Sequence, residues 1–134
     1  MTSITRINPP TLSDFGQVGF SHISVSEPGR MAHISGQVAW TADGAPVPDD
    51  LVEQIRVIGR NVRRALDAIG ATPHDVVMAR FYVTDLTEER LGRLMGPLRD
   101  IFEGAQPSLT GIGVAALAGP GLQAELELTV RLPD

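Results

Sequence analysis

LQAELELTVRL, residues 122–132, alternates without a break. Leu122, Ala124, Leu126, Leu128, Val130 and Leu132 fall on one side. Gln123, Glu125, Glu127, Thr129 and Arg131 fall on the other. A period of two is the signature of a strand with one apolar and one polar face. The apolar side calls for a covering layer. The polar side carries two carboxylates and is not an ordinary dry core, so water or another subunit meets it. A subunit is the favoured reading, because an open sheet face beside short exposed edges invites association.

Outward from that strand, residues 110–117 read as another strand and residues 76–84, rich in β-branched and aromatic side chains, as a third. Between them, Leu91, Leu94, Met95, Leu98, Ile101 and Phe102 recur at helical spacing. That helix has Asp85 or Glu88 as its cap, ends near Glu103, and should kink where Gly96-Pro97 removes a backbone donor. The clearest helix is residues 50–69, where Leu51, Ile55, Ile58, Val62, Leu66 and Ile69 form one apolar stripe. Asp50 with Glu53 resembles a capping box, and Gly70 suits a left-handed stop. Thr72-Pro73-His74-Asp75 reads as one capped turn. Upstream, residues 18–25 and 31–40 read as strands joined by Glu27-Pro28-Gly29-Arg30, which fits a type II turn and predicts a hairpin. Residues 1–17, with Pro9, Pro10, Asp14 and Gly16, read as an irregular arm. The order β-β-α-β-α-β-β predicts one α/β (α+β) domain over residues 1–134. Its mixed sheet has both helices on one face, and its third strand runs parallel to a neighbour.

Composition removes several function classes. The 134 residues fit one domain, and 43% apolar content supports a core. There is no Cys, so thiolate chemistry and disulfides are excluded. All eleven basic residues are Arg. The absence of Lys excludes a Schiff-base lysine and a phosphate-loop lysine. A net charge of −5 argues against a nucleic-acid binder. No apolar run is long enough for a membrane span, and residues 1–6 lack the layout of a secretory leader, so a cytoplasmic setting is expected.

Other patterns have plain readings. His22, His33 and His74 lack metal-site spacing, and no metal is expected. Ser35, His22 and Asp75 could be nominated as a triad, but no nucleophile elbow surrounds any Ser. The run 111–116 matches G-x-G-x-x-A without the flanking strand and helix that such a loop needs, so it is coincidental. Gln54 and Asn61 share a helix face and read as structural hydrogen bonds to backbone. Arg60, Arg63 and Arg64 read as a solvated face with ion pairs. Glu127 reads as a contact or salt-bridge residue. Glu125 is either a subunit-contact residue or a catalytic one.

Taken in order, the chain resembles the Rid family, also called YjgF or RidA-like, with the older name L-PSP endoribonuclease. The resemblance rests on Gly19-Phe20-Ser21-His22, Ser35-Gly36-Gln37, Gln54 and Asn61, and Gly70-Ala71. It continues through Asp75-Val76-Val77, Tyr82-Val83-Thr84-Asp85, Pro107-Ser108-Leu109-Thr110, and Leu117 ahead of Glu125-Leu126-Glu127. It implies a chorismate-mutase-like fold, a homotrimer with clefts between subunits, and hydrolysis of imines or enamines such as 2-aminoacrylate. No metal or organic cofactor is implied. Glu125 matches the family's water-activating acid. Backbone donors around Gly36 and Thr110-Gly111 would hold a ligand oxygen, with Phe20, His22 and Ser35 also near the ligand.

Three departures stand out. The family's deaminase branch places an arginine, which holds the substrate carboxylate, where this chain has Leu109. Leu offers no donor, and burying a carboxylate against it costs desolvation without return. Phe20 stands where Tyr is frequent, and His22 where Gln is. A 2-imino acid is therefore not the expected substrate. A neutral or more apolar ligand fits better, turned over by the protein or, alternatively, held by a non-catalytic trimer that binds a metabolite or a protein.

Overall fold

The computed structural model describes residues 3–134; Met1 and Thr2, part of the N-terminal stretch read above for a leader, lie outside the described residues. Strands are β1 (Ile4–Ile7), β2 (Ile23–Ser26), β3 (Met31–Gln37), β4 (Val76–Thr84), β5 (Ser108–Val114) and β6 (Ala124–Arg131). Helices are α1 (Leu51–Ala68) and α2 (Glu88–Ile101). The main sheet has the order β3-β6-β4-β5. Strand β4 runs antiparallel to β6 and parallel to β5, as a helical crossover requires. The sheet is mixed, both helices cover one face, and the α/β expectation holds.

The apolar alternation of β6 is realised: Ala124, Leu126, Leu128 and Val130 are buried. They meet Leu51, Ile55, Ile58, Val62 and Leu66 of α1 and Leu94 and Leu98 of α2 in one core cluster. Each such side chain contributes about 1.5–3 kcal/mol by leaving water. Asp50 caps α1 by accepting from Glu53 N at 3.1 Å. Gly70 closes it with φ 69°, in the left-handed region that glycine enters without strain.

The sequence reading departs from the structure at the N-terminal third. Residues 1–17 are not wholly irregular, since β1 lies there. The expected hairpin does not form: β2 pairs with β1, and β3 pairs with β6. The reason is Arg131, which the alternation had placed on the polar face but which is only 2% exposed. Its guanidinium donates to Glu27 O (Nε, 3.2 Å) and Pro28 O (Nη2, 2.5 Å). Gly29 is not at positive φ, so there is no type II turn. Its missing side chain instead makes room for the Arg131 guanidinium. Residues 27–29 wrap over that side chain, and the chain passes from one sheet to the other. The β1-β2 ribbon is tied down through Arg6, which donates to Val76 O at 2.6 Å and Ser24 Oγ at 2.7 Å. Helix α2 is capped by Thr87, accepting from Arg90 N, rather than by Asp85 or Glu88, and it continues through Pro97.

Candidate functional site

The face of the sheet away from the helices carries Glu125, Glu127 and Thr129 on β6. Arg80 and Tyr82 face the same way on β4, as does Thr110 on β5. Register sets Tyr82 opposite Glu125, and Arg80 opposite both Glu127 and Thr110. The two glutamates have different surroundings. Glu127 accepts from the Tyr82 hydroxyl and has Arg80 Nη1 at 3.8 Å. That hydrogen bond, with lesser help from desolvation and from the carboxylate's charge, holds the Tyr82 pKa above its usual value. Glu125 makes no hydrogen bond or ion pair among the described residues.

A bulge places Glu125. Ile34 pairs with Leu128 and Gln37 with Leu126, so β3 spends one residue more than β6 over that span. The extra length falls at Ser35-Gly36. The Glu125 carboxylate lies over Gly36 where a side chain would collide with it, so a larger residue there must push the carboxylate aside. Above this pair opens a cavity of about 300 Å³, lined by Gly36, Gln37, Val38, Trp40, Asn61, Ala118, Leu122 and Glu125. Glu125 is the one charged residue in that lining. Asn61 supports the wall, with Nδ2 donating to Val38 O (3.0 Å) and Trp40 O (2.7 Å). Gln54, wholly buried, ties down the loop before Glu125. It donates to Pro48 O and Gly121 O (2.8 Å each) and accepts from Gln123 N (2.9 Å). Both residues thus make the backbone hydrogen bonds expected of them.

The other nominated residues lie elsewhere. Ser35 is exposed beside a second cavity, of about 300 Å³, that includes His33, Arg80 and Glu127. Thr110 and Gly111 are exposed on β5, and Leu109 packs against the core from the same strand. Strand β5 is three strand spacings from β3, about 14 Å. Phe20 and His22 belong to the β5 side, since Ser21 between them bridges to Ser108. Phe20 is 0% exposed and packs edge-on to Phe102, so it offers a ligand no surface in this chain. His22 stacks on Phe15, with Nε2 2.7 Å from Ser13 O. The structure therefore unites Gly36 with Glu125 and sets Leu109, Thr110, Gly111 and His22 at the opposite edge. Among the described residues, no group of three or more His, Asp or Glu could hold a metal ion, and no helix is long and apolar enough to cross a membrane.

Two features escaped the sequence reading. Tyr82 and Arg80 could have been found by phase: Ala79, Phe81 and Val83 point into the core, which turns their neighbours toward Glu125 and Glu127. Trp40 lies beyond the strand proper, and no periodicity reports where its ring goes.

Comparison with known proteins agrees with this fold. A family model described as Endoribonuclease L-PSP matches residues 16–132. YjgH of Escherichia coli K12, described as a RutC family protein, is 32% identical over 107 residues, 79% of each chain. Among solved structures, YyfB of Yersinia pestis is described as a protein of unknown function of the conserved Rid family. It is 39% identical, covers 98% of this chain and 100% of its own, and superposes with a TM-score of 0.92. Rv2704 of Mycobacterium tuberculosis, described as a member of the YjgF/YER057c/UK114 family, is 29% identical. It covers 96% and 99%, with a TM-score of 0.65.

Proposed function

The chain belongs to the Endoribonuclease L-PSP family, the Rid or YjgF proteins, and from that membership we propose that it hydrolyses a reactive imine or enamine-type metabolite in the cytoplasm, as a homotrimer. The observation that carries the proposal is the unpaired Glu125 carboxylate lying over Gly36 in a cavity it shares with no cation. A carboxylate so placed takes a proton from water as the oxygen adds to the C=N carbon. It passes that proton to nitrogen, giving a carbinolamine. It then takes the proton of the new hydroxyl as the carbonyl forms and the C–N bond breaks, and this second proton goes to nitrogen, which leaves as ammonia. Glu127, engaged by Tyr82 and Arg80, is already committed to the sheet.

The split site supports an assembly of copies, and the trimer is what the family resemblance implies. Gly36 and Glu125 sit near the β3 edge, and the Thr110-Gly111 donors sit on β5. One chain cannot close both around one small molecule, whereas the β5 edge of a second copy can face the β3 edge of the first. RNA is not the expected substrate, given the net charge of −5 and the absence of Lys. Leu109, turned to the core, supplies no carboxylate clamp.

The test is competition with a semicarbazide trap for imines generated in situ. An amino-acid oxidase supplies 2-imino acids, and a flavin amine oxidase supplies imines without a carboxylate. The wild type should outcompete the trap and Glu125→Gln should not, with both keeping the trimer mass in light scattering. A wild type inert on every imine, yet trimeric and carrying a small molecule through purification, would replace this reading with a non-catalytic binding trimer.

A further inference from the structure

Trp40 is the single tryptophan of the chain, and it is 53% exposed. The indole lines a cavity, and side-chain hydrogen bonds hold the backbone around it. Asn61 donates to the carbonyl of Trp40 and to that of Val38. Gly119 has no side chain, and one built there would meet Trp40 Cζ2 at 2.7 Å, so the ring rests directly on that loop. Leu122, which would lie 3.1 Å from the same added carbon, flanks it. The cavity that Trp40 walls is the one that contains Glu125. No Arg or His lines it. The nearest cation linked to it by a hydrogen bond is Arg64, which reaches Asn61 Oδ1 at 3.1 Å and lines a different cavity.

An aromatic ring and an unpaired carboxylate lining one cavity supply the recognition chemistry of a nitrogen cation. The ring quadrupole attracts the charge, and the carboxylate pairs with its N–H groups. The same walls repel an anion, because Glu125 is there and no cation among the described residues lines the cavity. We infer that the Trp40–Glu125 cavity selects cationic, carboxylate-free nitrogen compounds with a planar or apolar body, such as protonated imines or amidines. This deepens the hydrolase reading and rests on it only for the chemistry after binding.

Trp40 makes the test direct, because its emission reports the cavity with no other tryptophan in the background. The probes are benzamidine, benzamide and benzoate, which share one shape and carry positive, zero and negative charge. Benzamidine should quench the emission saturably, and benzoate should bind roughly tenfold or more weaker. By calorimetry, Glu125→Gln and Trp40→Leu should each weaken benzamidine by roughly tenfold and narrow its lead over benzamide. Binding of benzoate as tight as benzamidine would overturn the inference, as would benzamidine binding unchanged in both variants. The hydrolase reading fails separately. Charge-selective binding with no imine hydrolysis removes the reaction and leaves the selectivity. Hydrolysis of 2-imino acids as fast as of carboxylate-free imines removes the selectivity and leaves the reaction.

Discussion

Two glutamates on β6 share one face and differ in what their carboxylates meet. Glu127 sits mid-sheet, where Tyr82 and Arg80 of the neighbouring strand satisfy it. Glu125 sits two residues earlier, where β3 bulges and its carboxylate lies over the bare backbone of Gly36. The difference teaches how a regular sheet leaves one carboxylate unpaired. A ladder in register pairs its side chains across strands. One extra residue in an edge strand breaks that pairing and leaves a carboxylate facing a cavity.

The sharpest way to break this comparison is to fill the bulge. Gly36→Ala should force the Glu125 carboxylate aside, and imine turnover should fall about a hundredfold, the order expected when a catalytic group is misplaced by an ångström. Gly92→Ala on α2 is the control, because nothing lies within 4 Å of the carbon it adds. Equal rates in the two variants would separate Glu125 from the chemistry. The same contrast applies to the glutamates: Glu127→Gln should leave turnover within a few-fold, against a loss of about a hundredfold or more for Glu125→Gln.

A second test concerns what holds the Glu125 end in place. Gln54 is fully buried and satisfies two carbonyls and one amide of the surrounding loops. Gln54→Ala leaves those groups unpaired and should lower unfolding free energy by about 2–3 kcal/mol in urea. Asn61→Ala, at a half-buried position, should cost about 1 kcal/mol. If Asn61→Ala proved the costlier, the loop after β3 and not the one before β6 would be the main support of the cavity.

The legibility of this chain follows the same division. Periodicity is a local property, and it identified α1, α2 and β6 because their apolar residues repeat along one element. Glu125 and Gly36 were nominated through resemblance, and the structure joins them through a bulge that alternation cannot announce. The failures were long-range. Residues 27–30 have the composition of a tight turn, yet Arg131, more than a hundred residues away, decides their path. Phe20 has the look of a ligand wall until Phe102 covers it. Leu109, Thr110 and Gly111 lie on the far edge of the sheet, and no single-chain pattern reveals which surface a second copy would bring to them.

The smallest expected effect bears on the satisfied glutamate. Tyr82 is the only tyrosine, so its ionisation can be followed alone by ultraviolet absorbance. Its hydroxyl donates to Glu127, and that hydrogen bond, ahead of desolvation and of the carboxylate's charge, raises its pKa above 10.0. Arg80 opposes the shift only in part. A raised folded-state pKa means that the native state holds its proton after the unfolded chain has released it. The stabilisation is therefore fully present below about pH 10 and is lost as pH rises through the folded value. Glu127→Gln should move the Tyr82 titration back toward pH 10 and flatten the fall of stability above it. Glu125→Gln should move it much less, since Glu125 acts on Tyr82 only through its charge. A Tyr82 that titrated alike in the wild type and Glu127→Gln would show that Glu127 is no more committed than Glu125, and the distinction between the two carboxylates would fall.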